Sequence, residues 1–176
     1  MKIIRYEKVS STQEVAKKIK PKDWTIILAK EQVLGYGKEK KEWFSPKGGL
    51  YFTIVLPKAE IEDLQILTIL AAFSIAKIIK EKFNLETLIK LPNDVLVMSN
   101  SKLKKVAGVL TENVVGKEVH FSIMGIGLNT NIECFPENLK EIATSIEIEK
   151  RKKVDNEEIL LEIVKEIKKN LKNITQ

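Results

Sequence analysis

Four short polar clusters in this sequence interrupt or end apolar stretches, and each carries groups that could hold or transform a ligand. The first is Ser10-Ser11-Thr12-Gln13. Its hydroxyls and amide can hydrogen-bond a neutral polar ligand without bringing a charge, although the same run would equally serve as a helix cap. The second begins at Gln32, continues through Gly35-Tyr36-Gly37-Lys38 and ends in Trp43-Phe44-Ser45-Pro46-Lys47-Gly48-Gly49-Leu50-Tyr51. Glycines let backbone N–H groups approach phosphate oxygens and lysines supply countercharge, while a flexible solvated loop is the plainer reading. The third, Lys90-Leu91-Pro92-Asn93-Asp94, sets a cation, an amide and a carboxylate in a proline-containing turn; a surface turn explains it as well. The fourth pairs Lys105 and Gly108, on a stretch otherwise made of Val106, Ala107, Val109 and Leu110, with Gly125-Ile126-Gly127-Leu128-Asn129. A lysine and a glycine inside an apolar strand imply either the close approach of a ligand or an edge position with a β-bulge.

Strands are the elements that must carry these clusters, because each cluster falls at the end of an apolar run where a rigid sheet can make side chains converge. Residues 2–6, 24–29, 50–56, 88–90, 95–98, 105–112 and 119–126 read as strands. Ser10-Ser11-Thr12 offers N-cap oxygens to a helix over 13–19. Leu64, Leu67, Ala71, Ile75, Ile78 and Ile79 recur at helical spacing, predicting a long core helix over 61–83. Ile159, Ile163, Val164, Ile167 and Leu171 mark a last amphipathic helix, with Asp155, Glu157 and Glu158 at its start and lysines near its end, complementing the helix dipole. Helices inserted among runs of antiparallel strands predict an α+β domain: a mixed, largely antiparallel sheet flanked by helices. The long polar segment between the strands at 24–29 and 50–56 is read as functional, since structureless loops of that length are uncommon otherwise.

A length of 176 residues suits one domain with a real core. No apolar run approaches the roughly 20 residues needed to span a bilayer, and the N-terminus lacks a secretory signal, so a cytoplasmic, non-membrane protein is expected. Cys134 is the only cysteine, so it forms no internal disulfide and is read as inert. The net charge of +6 is dispersed among acidic residues, with neither a recognition helix nor an aromatic-interleaved basic strip, so nucleic acid is not expected as the partner. No GxxxxGK[ST] occurs, and Gly125-Ile126-Gly127 lacks the third glycine of a dinucleotide fingerprint. His120, the single histidine, stands without a nucleophile motif and is read as structural.

In order and content the clusters resemble the catalytic domain of the biotin protein ligase family. The family pattern carries Ser-Thr-Asn near its start, then Gln and a Gly-Arg-Gly loop ending in Trp-x-Ser-Pro-x-Gly-Gly-Leu-Tyr. Lys-Trp-Pro-Asn-Asp, Lys-x-x-Gly-Ile-Leu-x-Glu and Gly-x-Gly-x-Asn follow. This sequence answers with Ser11-Thr12-Gln13, residues 32–51, 90–94, 105–112 and 125–129. It departs from the pattern at Gln13 for Asn, Tyr36 and Lys38 for the loop arginines, Lys40 and Lys41 for the later glycine and arginine, and Leu91 for Trp. Lys38 keeps the charge of an arginine but not its bidentate fork.

The resemblance implies a class II aminoacyl-tRNA synthetase-like biotin/lipoate ligase fold that activates biotin with ATP, using Mg²⁺, and passes it to a lysine of a biotin carboxyl carrier protein. By the same resemblance Ser11, Thr12, Gln13, Gln32, Tyr36, Gly37, Lys38, Lys105 and Gly108 contact biotin. Gly35, Tyr36, Gly37, Lys38, Trp43, Lys90, Asn93 and Asn129 serve ATP and the adenylate. Lys105, Lys38 and Asp94 act in catalysis, Asp94 also as the metal ligand. The 35–47 loop is expected to close over the adenylate. The length leaves no room for the N-terminal DNA-binding domain or the SH3-like C-terminal domain of many relatives, and a homodimer is plausible from the family. A lipoate ligase and a noncatalytic biotin- or adenylate-binding module are the alternatives.

Overall fold

The computed structural model describes residues 1–56, 64–115 and 121–174. Among these residues there are seven strands, β1 (Lys2–Tyr6), β2 (Thr25–Ala29), β3 (Leu50–Leu56), β4 (Thr87–Lys90), β5 (Asp94–Ser99), β6 (Lys102–Val114) and β7 (Phe121–Leu128), and four helices, α1 (Thr12–Ile19), α2 (Leu64–Phe83), α3 (Ile146–Lys150) and α4 (Asn156–Ile174). The strands form one sheet in the order β1-β2-β3-β7-β6-β5-β4. β1 and β2 run parallel, linked by α1, and every other pair is antiparallel. This is the α+β arrangement expected from the order of elements.

The central strands read as continuous apolar runs because both faces of the sheet are covered. Leu50, Phe52, Ile54 and Leu56 of β3 join a large core with Leu67, Ala71, Ile75 and Ile79 of α2 and Ile159, Ile163, Val164 and Ile167 of α4. Val55, one residue out of phase, turns to the opposite face, where it meets Ile27, Ile123 and Ala16 of α1. So α2 and α4 lie on one face and α1 on the other. Ser11 caps α1 by accepting from Gln13 N at 3.3 Å. Asp155 Oδ1 accepts from Glu157 N at 2.8 Å and Glu158 N at 3.2 Å at the start of α4, a cap worth about 1 kcal/mol.

The sequence-predicted boundaries shift where local backbone intervenes. β2 starts at Thr25 because Trp24 is left-handed (φ 57°) and donates its N–H to Val55 O at 2.7 Å. Residues 61–63 of the expected helix, and Val119 and His120 of the expected last strand, lie outside the described residues. Between β7 and α4 the sequence signalled no element, yet α3 forms there, capped by Ser145 Oγ accepting from Ile148 N at 3.1 Å.

One irregularity governs the site. In the pairing of β5 with β6, Val95 faces Ala107 but Leu96 faces Lys105, so Val106 is an extra residue, a β-bulge. Regular alternation would put Lys105 on the face opposite Gly108. The bulge instead sends both Val106 and Ala107 into the core and brings Lys105 round to the side of Gly108, whose absent Cβ would lie 3.3 Å from Lys105 Cε. The bulge reading holds, but the edge position does not, since β6 is an interior strand between β7 and β5; the groups that approach Gly108 closely are the Trp43 ring and the Lys105 stem.

Candidate active site

Beyond the N-terminus of α1 that face of the sheet is left uncovered. β6 and β7 pair Gly108 with Gly127 and Leu110 with Gly125, so three of these four floor positions carry no side chain. A cavity of about 320 Å³ stands on this floor, within the range of small-molecule sites. The 30–49 segment walls it. Gly37 N donates to Lys41 O at 2.8 Å and Trp43 N to Gly35 O at 2.8 Å, folding the segment back on itself around a short 3-10 turn, Lys38–Lys40.

Gly125 marks one end, which is neutral. Gln32 Oε1 accepts from Thr12 N at 2.8 Å and from Thr12 Oγ1 at 3.1 Å, and Gln32 Nε2 donates to Ser45 Oγ at 3.0 Å. This ties the wall to the start of α1 and leaves the second Nε2 hydrogen of Gln32 for the cavity. Ser11 spends a lone pair on its cap and keeps its proton. Capping and ligand binding, alternatives in the sequence, are compatible here. Gln13 lies over Gly125, where a Cβ would meet its Cδ at 2.6 Å.

Behind Gln13 stands a cluster that motif reading did not assemble. Gln13 Nε2 donates to Glu112 Oε2 at 2.8 Å, and Lys17 Nζ lies 3.1 Å from both Glu112 Oε2 and Glu14 Oε1. The Tyr36 hydroxyl donates to Glu14 Oε1 at 2.5 Å, accepts from Lys17 Nζ at 2.9 Å and lies 3.3 Å from Glu112 Oε2. Burial and the bond to Glu14 hold the Tyr36 phenol well above its ordinary range, and that same bond lowers Glu14. Burial alone would pull Lys17 down, but its bonds to Tyr36, Glu112 and Glu14 outweigh this and raise it. Tyr36 therefore keeps its proton, Glu14 its negative charge and Lys17 its positive charge across the neutral pH range.

The Gly108 and Gly127 end is charged. It lies two residues along the strands from Gly125, roughly 7 Å at the usual rise. Lys105 Nζ sits 2.7 Å from Asp94 Oδ1, which also accepts from Asn93 Nδ2 at 2.9 Å. The backbone of Lys105 is pinned from the far side, its N–H donating to Ile142 O at 2.8 Å and its carbonyl accepting from Thr144 N at 3.0 Å. The Trp43 indole lies on the floor glycines: a Cβ on Gly127 would collide with its Nε1 and come within 2.5 Å of Cε2, and one on Gly108 would reach Cζ3 at 3.0 Å. Lys105 Nζ stands 4.8 Å from the Trp43 ring centre, and among the described residues the buried indole Nε1 has no hydrogen-bond partner.

Of the residues singled out in the sequence, Ser11, Thr12, Gln13, Gln32, Tyr36, Gly37, Lys38, Trp43, Asn93, Asp94, Lys105 and Gly108 line this one cavity. Three others stand off its wall. Gly35 is packed so closely against Gln32, Ser45 and Trp43 that a Cβ would fall within 2.5 Å of Ser45 Oγ. Lys90 is exposed at the end of β4. Asn129 is buried, with Nδ2 donating to Thr144 O at 3.0 Å, so it holds the segment that pins Lys105. Glu39, Lys41 and Glu42 line the cavity without having been singled out.

The biotin/lipoate A/B protein ligase family matches residues 6–129 of the chain. The bifunctional ligase/repressor BirA of Bacillus subtilis (strain 168) is 32% identical over 170 residues, covering 92% of this chain and 51% of that protein. The chain thus spans about half the length of the curated relatives it matches. Among solved structures, the biotin protein ligase from Aquifex aeolicus in complex with biotin and ATP is 35% identical and matches with a TM-score of 0.87, over 97% of this chain and 70% of that one. The biotin protein ligase from Leishmania major in complex with biotinyl-5-AMP shares the fold with a TM-score of 0.75 at 23% identity, over 94% of this chain and 73% of its own.

Proposed function

The chain belongs to the biotin/lipoate A/B protein ligase family, and from that membership we propose that it activates biotin with ATP to biotinyl-5'-AMP and transfers the biotinyl group to a lysine of a biotin carboxyl carrier protein. The observation that carries this reading is the polarity of the cavity, with neutral hydrogen-bonding groups at one end and Lys105 about 7 Å away at the other. Biotin has the same polarity, a neutral cyclic urea joined to an anionic tail. The Ser11 hydroxyl and the spare hydrogen of Gln32 Nε2 suit the urea carbonyl, and Lys105 suits the carboxylate.

In the first half-reaction a biotin carboxylate oxygen attacks the α-phosphorus of ATP, a P–O bond forms, and the bond to the departing pyrophosphate breaks. Two anions must meet, a repulsion of about 4 kcal/mol at 4 Å and an effective dielectric near 20. Lys105 stands where it can offset this for both groups, with Lys38 on the adjoining wall. Asp94 and Asn93 hold the Lys105 ammonium in place. Trp43, now against the floor glycines and Lys105, would stack on adenine after leaving the floor, which uncovers Gly108 for the new mixed anhydride. In the second half-reaction the carrier amine attacks the anhydride carbonyl, AMP leaves, and Asp94 is the carboxylate at that end able to take the amine proton.

Magnesium would supply charge neutralisation on the ATP phosphates. Among the described residues there is no group of three His, Cys, Asp or Glu side chains able to hold a metal. Asp94 would be the residue to hold such an ion, since a single carboxylate beside the ATP phosphates is a donor set that suits magnesium.

Pyrophosphate release by the purified protein, with biotin or lipoate and ATP, tests the reading, and the mass of an added carrier domain follows transfer. Biotin-dependent release with one biotinyl group added to the carrier is expected. Release with lipoate alone would redirect the substrate, and biotin binding without release would reduce the chain to a binding module.

A further inference from the structure

The neutral end contains a hydrogen-bonding group whose direction its surroundings fix. Gln13 is 4% exposed, and both hydrogens of its Nε2 are engaged, by Leu110 O at 3.2 Å and Glu112 Oε2 at 2.8 Å. Turning the amide over would set its oxygen against a carbonyl and a carboxylate, both acceptors, so the hydrogen-bond network decides the orientation. Gln13 Oε1 consequently lies over Gly125, 2.7 Å from where a Cβ would stand, and among the described residues no donor reaches it. Glu112 is itself held in place by Lys17 Nζ, 3.1 Å from its Oε2. Glutamine replaces the asparagine of the family pattern here, and its extra methylene carries the amide out to Glu112.

We propose that Glu112 is a positioning residue that locks Gln13 as a pure acceptor, so that the neutral end selects a ligand ring bearing an N–H, such as a cyclic urea, over a ring of similar size without one. This rests on the biotin reading above and adds the basis of its selectivity. A ring with an N–H gives Oε1 its missing donor. A ring presenting oxygen or sulfur there leaves a buried acceptor unpaired, the kind of mismatch by which polar pockets reject close analogues. A dithiolane such as that of lipoate fails on this ground alone.

The size-conserving probe is a cyclic carbamate analogue of biotin in which a ring N–H is replaced by O, made as both isomers. Binding of biotin and of the two carbamates is measured by titration calorimetry on the wild-type protein, Gln13→Met, Glu112→Leu and Glu112→Gln, together with KM and kcat for pyrophosphate release. The wild type is expected to prefer biotin over one carbamate isomer by ten- to hundredfold. Gln13→Met is expected to lower that preference below threefold. Glu112→Leu frees the amide to turn its Nε2 inward, so the preference falls away or reverses, and the biotin KM rises at least tenfold with kcat within threefold. Glu112→Gln, whose side-chain oxygen still accepts from Gln13, restores most of the preference, a rescue that a merely structural role would not give. The substitutions sit on α1 and β6, so either one alone reads out if the other fails to fold. A preference unchanged in a folded Gln13→Met or Glu112→Leu protein overturns the proposal. A wild type that releases pyrophosphate with biotin but accepts both carbamates equally overturns it while leaving the ligase reading intact, whereas a wild type that binds no biotin overturns both.

Discussion

Replacing Lys105 by methionine isolates what its charge contributes. The methionine keeps the unbranched stem that packs beside Trp43 and removes the ammonium 2.7 Å from Asp94 Oδ1. If Lys105 offsets the whole carboxylate-phosphate repulsion, about 4 kcal/mol, adenylation slows by roughly a thousandfold at 1.36 kcal/mol per decade. On the proposed mechanism Lys38 and magnesium on the phosphates would share the task, so a fall of about 10²- to 10³-fold is expected. The stability cost is of another order. The Lys105 and Asp94 side chains are 31% and 21% exposed, and partly exposed pairs contribute about 1 kcal/mol, with a similar amount for the contact with Trp43. For a chain of this size that lowers Tm by about 4–8 °C. Single-turnover formation of biotinyl-5'-AMP, followed alongside thermal unfolding, separates the two effects. A Lys105→Met protein that adenylates within tenfold of wild type would refute the placement of Lys105 at the reacting groups. Equal losses in activity and in folded fraction would refute it as well.

Three further predictions concern the scaffold. Gly48 has φ +108°, and a Cβ there would collide with Asn131 O, while its carbonyl accepts from Thr130 Oγ1 at 2.8 Å and Asn156 Nδ2 at 3.0 Å; Gly48→Ala should cost about 3 kcal/mol by urea unfolding. Gly37→Ala, whose Cβ meets nothing nearer than Lys41 O at 3.9 Å, should cost under about 1 kcal/mol by the same measurement. Burial pushes the Tyr51 phenol far above the usual tyrosine value of 10.0, so its contribution to stability is complete below that pH and is lost as pH rises beyond it. Tyr51→Phe loses the bond to Pro46 O at 2.9 Å, about 1 kcal/mol at neutral pH, and should show a shallower decline than wild type between pH 10 and 12; parallel slopes would contradict the assignment.

The sequence revealed most where one physical signal governed. Period-3.6 apolar patterns located α2 and α4, and a continuous apolar run located β3, because the helices bury one stripe each and β3 is buried on both faces. The clusters around Ser11, Gln32, Asp94 and Lys105 were legible because polar residues at strand ends break those patterns. That Lys105 and Gly108 share a face was only half legible: an odd spacing along a strand means opposite faces unless a bulge intervenes, and the sequence raised a bulge in this strand but attached it to an edge position and did not place it at Val106. Glu112 closes the 105–112 motif, but Lys17 and Glu14 carry no motif signal, and only the crossing of α1 and β6 makes the three a cluster. Asn129, inside a recognisable motif, turned inward because segment 129–145, which has no periodic signal, folds back over Lys105. Trp43 could be assigned to the site but not to its resting place, which depends on two glycines being paired across strands.

The cavity floor also decides how the molecule can breathe. Gly108 and Leu110 on β6, and Gly125 and Gly127 on β7, lie on interior strands with hydrogen-bonded neighbours on both sides. Amide protons there are expected to exchange with deuterium only when the whole sheet opens, at the free energy of global unfolding. The surrounding rim hangs on a handful of bonds, such as Gln32 N to Ser45 O at 3.1 Å and Trp43 N to Gly35 O at 2.8 Å, and its amides are expected to exchange through smaller, local openings. Ligand capture can therefore draw on rim motion without loosening the groups that fix the geometry of reaction, and the dimensions of the floor are as durable as the fold.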